Sequence, residues 1–127
     1  MDQAWADAAK TGDVDAARRM LETGVNVNTQ NRYGQTALMV AACHGHTTLA
    51  ELLIAHGANL NVTAKYGLSA LMLAVVNRHT TIARLIARAG ANLRLVGTGA
   101  PGFAGKTAYD LAAAQALQML FDELHPG

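Results

Sequence analysis

The chain holds a single cysteine, Cys43, among its 127 residues, so no internal disulfide can form and the fold must do without one. That fits a reducing compartment, where thiols persist. Long apolar runs are missing as well: nothing approaches the roughly 20 residues that a helix needs to cross a bilayer. The opening Met1-Asp2-Gln3-Ala4-Trp5 is acidic and already patterned, unlike an export signal. A cytoplasmic location is the expectation, although an exported protein trimmed of its signal would read the same way. Aromatic residues make up only 5% of the chain against 51% hydrophobic, so the core must be built from small, helix-favouring side chains. Net charge is +1, too near neutral to advertise nucleic acid or a membrane as partner. The halves differ mildly: residues 1–63 carry four basic and six acidic groups (net −2), and residues 64–127 carry six and three (net +3). A chain of 127 residues allows one domain, burying roughly two-thirds of the surface that its unfolded form exposes.

What the chain does have is self-similarity. Tyr33-Gly34-Gln35-Thr36-Ala37-Leu38-Met39 returns 33 residues later as Tyr66-Gly67-Leu68-Ser69-Ala70-Leu71-Met72. The same offset carries His46-Thr47-Thr48 onto His79-Thr80-Thr81, and Gly57-Ala58-Asn59-Leu60-Asn61 onto Gly90-Ala91-Asn92-Leu93-Arg94. Counting back instead gives Gly24-Val25-Asn26-Val27-Asn28, with Gly12 under Gly45. Each unit reads as two short helices. Leu38, Ala41 and Ala42 share one face of the first, and Leu49, Leu52 and Leu53 recur at helical spacing in the second. Thr36, Ser69 and Thr107 stand where an N-cap hydroxyl would accept a bond from a free backbone N–H. Gly45 ends the first helix and Gly57 the second, both at positions suited to positive φ. Helix pairs this short cannot bury their own apolar faces, whereas stacked copies can.

These residues resemble the ankyrin repeat family, with its 33-residue period and T-P-L-H-x-A signature. The resemblance covers essentially the whole chain and implies an all-α solenoid. Four stacked repeats, about 1–30, 31–63, 64–97 and 102–127, would be joined by β-hairpin-like loops, with the polar first and last repeats as caps. The chain departs from the family pattern in places. Alanine (Ala37, Ala70, Ala108) replaces the signature proline, and Met39, Met72 and Asp110 replace the histidine. The helix-ending glycine becomes Arg78 in the third repeat, where a left-handed conformation would cost roughly 1–2 kcal/mol. Asn77 is expected to take up that strain.

Two glycine motifs suggest nucleotides. Ala100–Thr107 reads A-P-G-F-A-G-K-T, one glycine short of a phosphate-cradling loop, and Gly97-Thr98-Gly99-Ala100-Pro101-Gly102 matches G-x-G-x-x-G. The repeat explains both. Gly105-Lys106-Thr107-Ala108 is the fourth copy of Gly34-Gln35-Thr36-Ala37, displaced by 38 residues, so the extra residues around 95–101 lengthen a hairpin. Too little chain follows Thr107 for the parallel sheet that a phosphate loop requires. Cys43-His44-Gly45-His46 could suggest a metal, yet adjacent helical residues point about 100° apart. No group stands by to orient a nucleophile–base pair. No catalytic residue, metal or cofactor is expected. Arg32-Tyr33 and Lys65-Tyr66 make a thin phosphate footprint for nucleic acid, with Arg84, Arg88 and Arg94 on another face.

The resemblance implies instead a monomeric, non-catalytic module that binds another protein through its hairpin tips and first-helix face. By position, the first tip carries Arg32, Tyr33 and Gln35, the second Lys65, Tyr66 and Leu68, and the third Phe103, Ala104 and Lys106. Cys43, His44, Val76 and Asn77 would line the face, with Lys10 and Thr11 at its edge. Tyrosine and arginine are the side chains that most often anchor protein interfaces. Tyr33 and Tyr66 could equally pack across neighbouring hairpins, and both readings stay open. The alternatives are small-molecule, anion or nucleic-acid binding, or a nucleotide held by Gly105-Lys106-Thr107, since a glycine turn ahead of a helix can attract an anion.

Overall fold

The computed structural model describes residues 2–99 and 102–125 and is helical throughout, with isolated bridges at Thr63–Ser69 and Gly97–Ala104. Its helices are α1 (Gln3–Thr11), α2 (Val14–Glu22), α3 (Ala37–His44), α4 (Thr47–Ala55), α5 (Ala70–Val76), α6 (Thr80–Arg88), α7 (Ala108–Ala114) and α8 (Phe121–Leu124). Short 3₁₀ turns occur at Lys65–Gly67 and Gln118–Leu120. Each first helix starts on a side-chain cap. Thr36 Oγ1 accepts the Met39 N–H at 3.3 Å, Ser69 Oγ that of Met72 at 3.3 Å, and Thr107 Oγ1 that of Asp110 at 3.2 Å. Asp110 closes a capping box by accepting the Thr107 N–H at 3.0 Å, which explains why an acid replaces methionine there.

The helices form two layers, α1-α3-α5-α7 and α2-α4-α6-α8, and the first is packed more tightly than the second. Small residues permit that approach: Ala41, Ala42, Ala74 and Ala112 are fully buried. Leu49, Leu53, Ile82, Ile86, Leu120 and Leu124 fill the space between the layers, each burial contributing about 1.5–3 kcal/mol. In α2 only Ala17 is fully buried, as its run of charges foretold.

The turn after each first helix is left-handed in all four pairs: Gly12 at φ 74°, Gly45 at 81°, Arg78 at 62° and Ala116 at 56°. Arg78, not Asn77, absorbs the strain. Asn77 keeps φ −92° and ψ 7° as its side chain bonds the Leu73 carbonyl at 2.8 Å. The register of the turn holds Arg78 in place, because its N–H bonds the Val75 carbonyl and the His79 N–H bonds that of Ala74. The Arg78 guanidinium adds contacts to the Gln115 carbonyl at 3.2 Å and to Gln115 Oε1 at 3.4 Å. Ala100 and Pro101, within the lengthened hairpin, lie outside the described residues.

A candidate interaction surface

Three hairpin tips project beside the first-helix layer, and the local sequence shapes each differently. At the first, Asn31 Oδ1 accepts the N–H of both Tyr33 and Gln35 at 2.9 Å, fixing the turn while Tyr33 stays 61% exposed. The Arg32 guanidinium lies 5.0 Å from the Tyr33 ring centre. Gln35 is drawn back into the turn, its Oε1 accepting from Asn31 Nδ2 at 3.1 Å. At the second tip Ala64 stands where Asn31 did, so no side chain braces the loop. Tyr66 there adopts φ 63°, a left-handed geometry rare for an aromatic residue. The third hairpin holds it: the Tyr66 carbonyl accepts the Thr98 N–H at 2.6 Å, and its ring lies 5.9 Å from that of Phe103. The Lys65 ammonium sits 4.9 Å from the Tyr66 ring centre. Tyr66 thus packs across hairpins, whereas Tyr33 stands out in solvent.

The residues expected at the site divide accordingly. Arg32, Tyr33, Lys65, Tyr66, Lys106, His44 and Asn77 are exposed. Gln35, Cys43, Val76 and Phe103 are half-buried. Leu68 is a correction. At 7% exposure it belongs to the core, because an apolar side chain at the position of Gln35 turns inward and offers a partner almost nothing. Cys43 lies beneath Asn77, whose Nδ2 comes within 3.6 Å of its sulfur.

The floor of this surface is tied from one pair to the next. His46 Nε2 lies 2.7 Å from the Lys10 carbonyl, and His79 Nε2 lies 3.1 Å from that of Cys43. A carbonyl only accepts, so Nε2 carries the proton in both rings. Lys10, Cys43 and Val76 are equivalent positions 33 residues apart, and at the third the donor is Gln115, reaching the Val75 and Val76 carbonyls at 3.1 and 3.3 Å. The Lys10, Cys43 and Val76 carbonyls are ones that the end of a helix leaves free, whereas that of Val75 also accepts the Arg78 N–H. Reasoning from the sequence missed Gln115, since Leu117 occupies the histidine position and the motif is gone. It also missed an asparagine ladder: Asn28 Oδ1 accepts the Asn59 N–H at 2.7 Å, and Asn61 Oδ1 that of Asn92 at 2.7 Å. The recurring Asn-x-Asn was the available signal. The His44 ring lies 6.0 Å from that of His46. Although the residue is exposed overall, partial desolvation of its ring, then the charges of His46, Lys10 and His79, hold the imidazole below the ordinary value of 6.5.

The glycine-rich approach to α7 has little to offer a phosphate. The Gly105 N–H bonds the Gly97 carbonyl at 3.0 Å, that of Lys106 the Phe103 carbonyl at 3.0 Å, and that of Thr107 bonds Asp110. A cradle needs these donors free, and the Asp110 carboxylate already occupies the one at the helix start. Gly97 is required sterically instead, since a Cβ there would collide with the Phe103 backbone. Among the described residues, no group of three or more His, Cys, Asp or Glu is placed to hold a metal, and no helix is long and apolar enough to cross a membrane.

A family model for ankyrin repeats, in three copies, matches residues 5–96. The chain belongs to the ankyrin repeat family. The match begins inside α1 and takes in α2 and the pairs α3–α4 and α5–α6, and α7–α8 follow it in the same stacking. Among solved structures, this ankyrin chain is similar to one chain of "Bd0816 Predatory Endopeptidase from Bdellovibrio bacteriovorus in complex with immunity protein Bd3460". The two are 27% identical with a TM-score of 0.85, over 97% of this chain and 62% of that one. The present chain thus spans less than two thirds of its neighbour's length. No curated protein matches it.

Proposed function

We propose that this ankyrin chain is a non-catalytic module that grips a partner protein between its hairpin tips and its first-helix face. The observation that carries the reading is Tyr33, 61% exposed on a turn braced by Asn31, with Arg32 against its ring. Packing gives no reason for that placement, while the pair suits an interface: each side chain desolvates a large area and still hydrogen-bonds. The first-helix layer below is rigid, its helix ends tied by His46, His79 and Gln115, so little ordering cost would accompany binding. That the similar structure is a complex between an endopeptidase and an immunity protein supports a protein partner here.

The test is affinity capture from the source cells with the native chain and an Arg32→Ala, Tyr33→Ala variant. Tyr66 is left intact because it also supports Phe103. Loss of an interface anchor typically weakens binding by about 2 kcal/mol or more, roughly thirtyfold. The captured partner should therefore vanish while circular dichroism stays unchanged. Identical captures from both chains would reject this face.

A further inference from the structure

The inner side of the stack carries an excess of positive charge. Arg32, Lys65 and Lys106 stand exposed at the three tips, and Lys10 is exposed near the end of α1. Among the described residues none of the four makes an ion pair: the pairs are Arg18–Asp15, Arg84–Glu123 and Arg88–Glu123, all on second helices. Seven of the nine acidic residues lie elsewhere. Asp15, Glu22, Glu51, Asp122 and Glu123 lie on α2, α4 and α8, and Asp2 and Asp13 cap helix starts. On the first helices, Asp7 accepts from Gln3 Nε2 at 2.8 Å and Asp110 accepts the Thr107 N–H; both keep their charge, so this side sets four cations against two carboxylates.

We infer that the partner presents an acidic protein surface to the tips, with carboxylates spaced to meet Arg32, Lys65 and Lys106. This rests on the protein-binding reading above and names the chemistry of the partner. Packed helices lie about 8–10 Å apart, so successive tips repeat at about that distance. Carboxylates seven residues apart on a helix repeat at about 10.5 Å, a close match. Nucleic acid matches poorly, since a duplex carries one charge about every 1.7 Å of its axis and three tip cations would answer only a few. The rings beside two of the cations favour a protein as well: Tyr33 and Tyr66 give each charge an apolar neighbour, so a carboxylate and the stem carrying it meet complementary surface. Neighbouring tip charges, about one Debye length apart, also reinforce each other's potential and speed encounter with an anionic face.

The probe is a labelled helical peptide with glutamate at every seventh position, read by fluorescence anisotropy at about 0.02 M and about 0.3 M salt. A glutamine analogue and a single-stranded oligonucleotide are run beside it. The glutamate peptide should bind, weaken in salt and outcompete both. Three exposed charge pairs, each worth a factor of about two to five, predict a loss of roughly tenfold or more in an Arg32→Glu, Lys65→Glu, Lys106→Glu chain. An Arg18→Glu, Arg19→Glu, Arg94→Glu chain, of equal net charge, should lose no more than about twofold. Equal binding of the glutamine peptide, equal loss in both variants or tighter binding of the oligonucleotide would overturn the inference. Capture from cells separates the two readings. A partner kept by the tip-reversed chain but lost with Arg32→Ala, Tyr33→Ala removes the acidic partner and leaves the module standing, and a partner kept by both removes the face itself.

Discussion

Gly45 and His79 make a test of how the stack is tied together. A Cβ at Gly45 would meet three atoms of the His79 ring, Cε1 at 2.7 Å, Nδ1 at 2.9 Å and Nε2 at 3.2 Å. The ring cannot swing away without giving up its 3.1 Å bond to the Cys43 carbonyl. Gly45→Ala therefore carries two costs. Holding alanine at φ 81° costs about 1–2 kcal/mol, less about 0.4–1 recovered from a stiffer unfolded chain. Crowding the ring adds about 1–3 kcal/mol. The sum, about 2–4 kcal/mol, is a large part of the 5–15 kcal/mol typical of a domain. His79→Ala alone loses the carbonyl bond, about 1–3 kcal/mol, but it also empties the space over Gly45. In that background Gly45→Ala should cost only the conformational part, about 1 kcal/mol. The double variant is then more stable than the sum of the singles predicts, by about 1–3 kcal/mol. Urea titrations followed by far-UV circular dichroism and by the fluorescence of Trp5, the sole tryptophan and 1% exposed, would measure it. Gly12 and His46 repeat the geometry, with Nδ1 at 2.6 Å, and serve as an internal replicate. Strictly additive costs at both sites would show that the histidine does not stand over the turn.

Two further outcomes follow from the ladder and from His44. Asn61→Ala, which strips the Asn92 N–H of its acceptor, should lower stability by about 0.5–1.5 kcal/mol, and Arg94→Ala, one repeat further on, by no more than about 0.5; equal effects in urea midpoints would contradict the ladder. The His44 imidazole is held below 6.5, chiefly by partial desolvation, so the unfolded chain takes up a proton before the folded one does. Stability therefore falls as pH drops from 6.5 towards the folded value, and His44→Gln should flatten that slope in midpoints measured from about pH 7.5 to 5. An unchanged slope would clear His44 of the effect.

The layered helices were legible because period and capping agree: Thr36, Ser69 and Thr107 each mark a helix start, and Gly45 marks an end. Leu68 and Arg78 were not. The hairpin position of Leu68 is occupied by a polar residue in the second repeat and a cation in the fourth, and only its apolar character, visible but outweighed by position, sends it inward. Arg78 was misjudged because propensity favours asparagine in the left-handed region. Two backbone bonds from neighbouring turn residues fix the geometry one residue later, overriding that preference. Gln115 was invisible for a different reason. It does the work of a histidine from two positions earlier, and only the fold brings it to the Val76 carbonyl.

The asparagine ladder ends at Arg94, whose side chain can only donate, and this makes the stack directional. Between the third and fourth pairs the chain relies on helix contact, Gln115, the glycine hairpin and the ion pairs of Arg84 and Arg88 with Glu123, and the C-terminal pair is expected to unzip first. Hydrogen exchange would then run as a gradient, fastest in α7 and α8. A partner laid across all the tips would act as a splint over that seam.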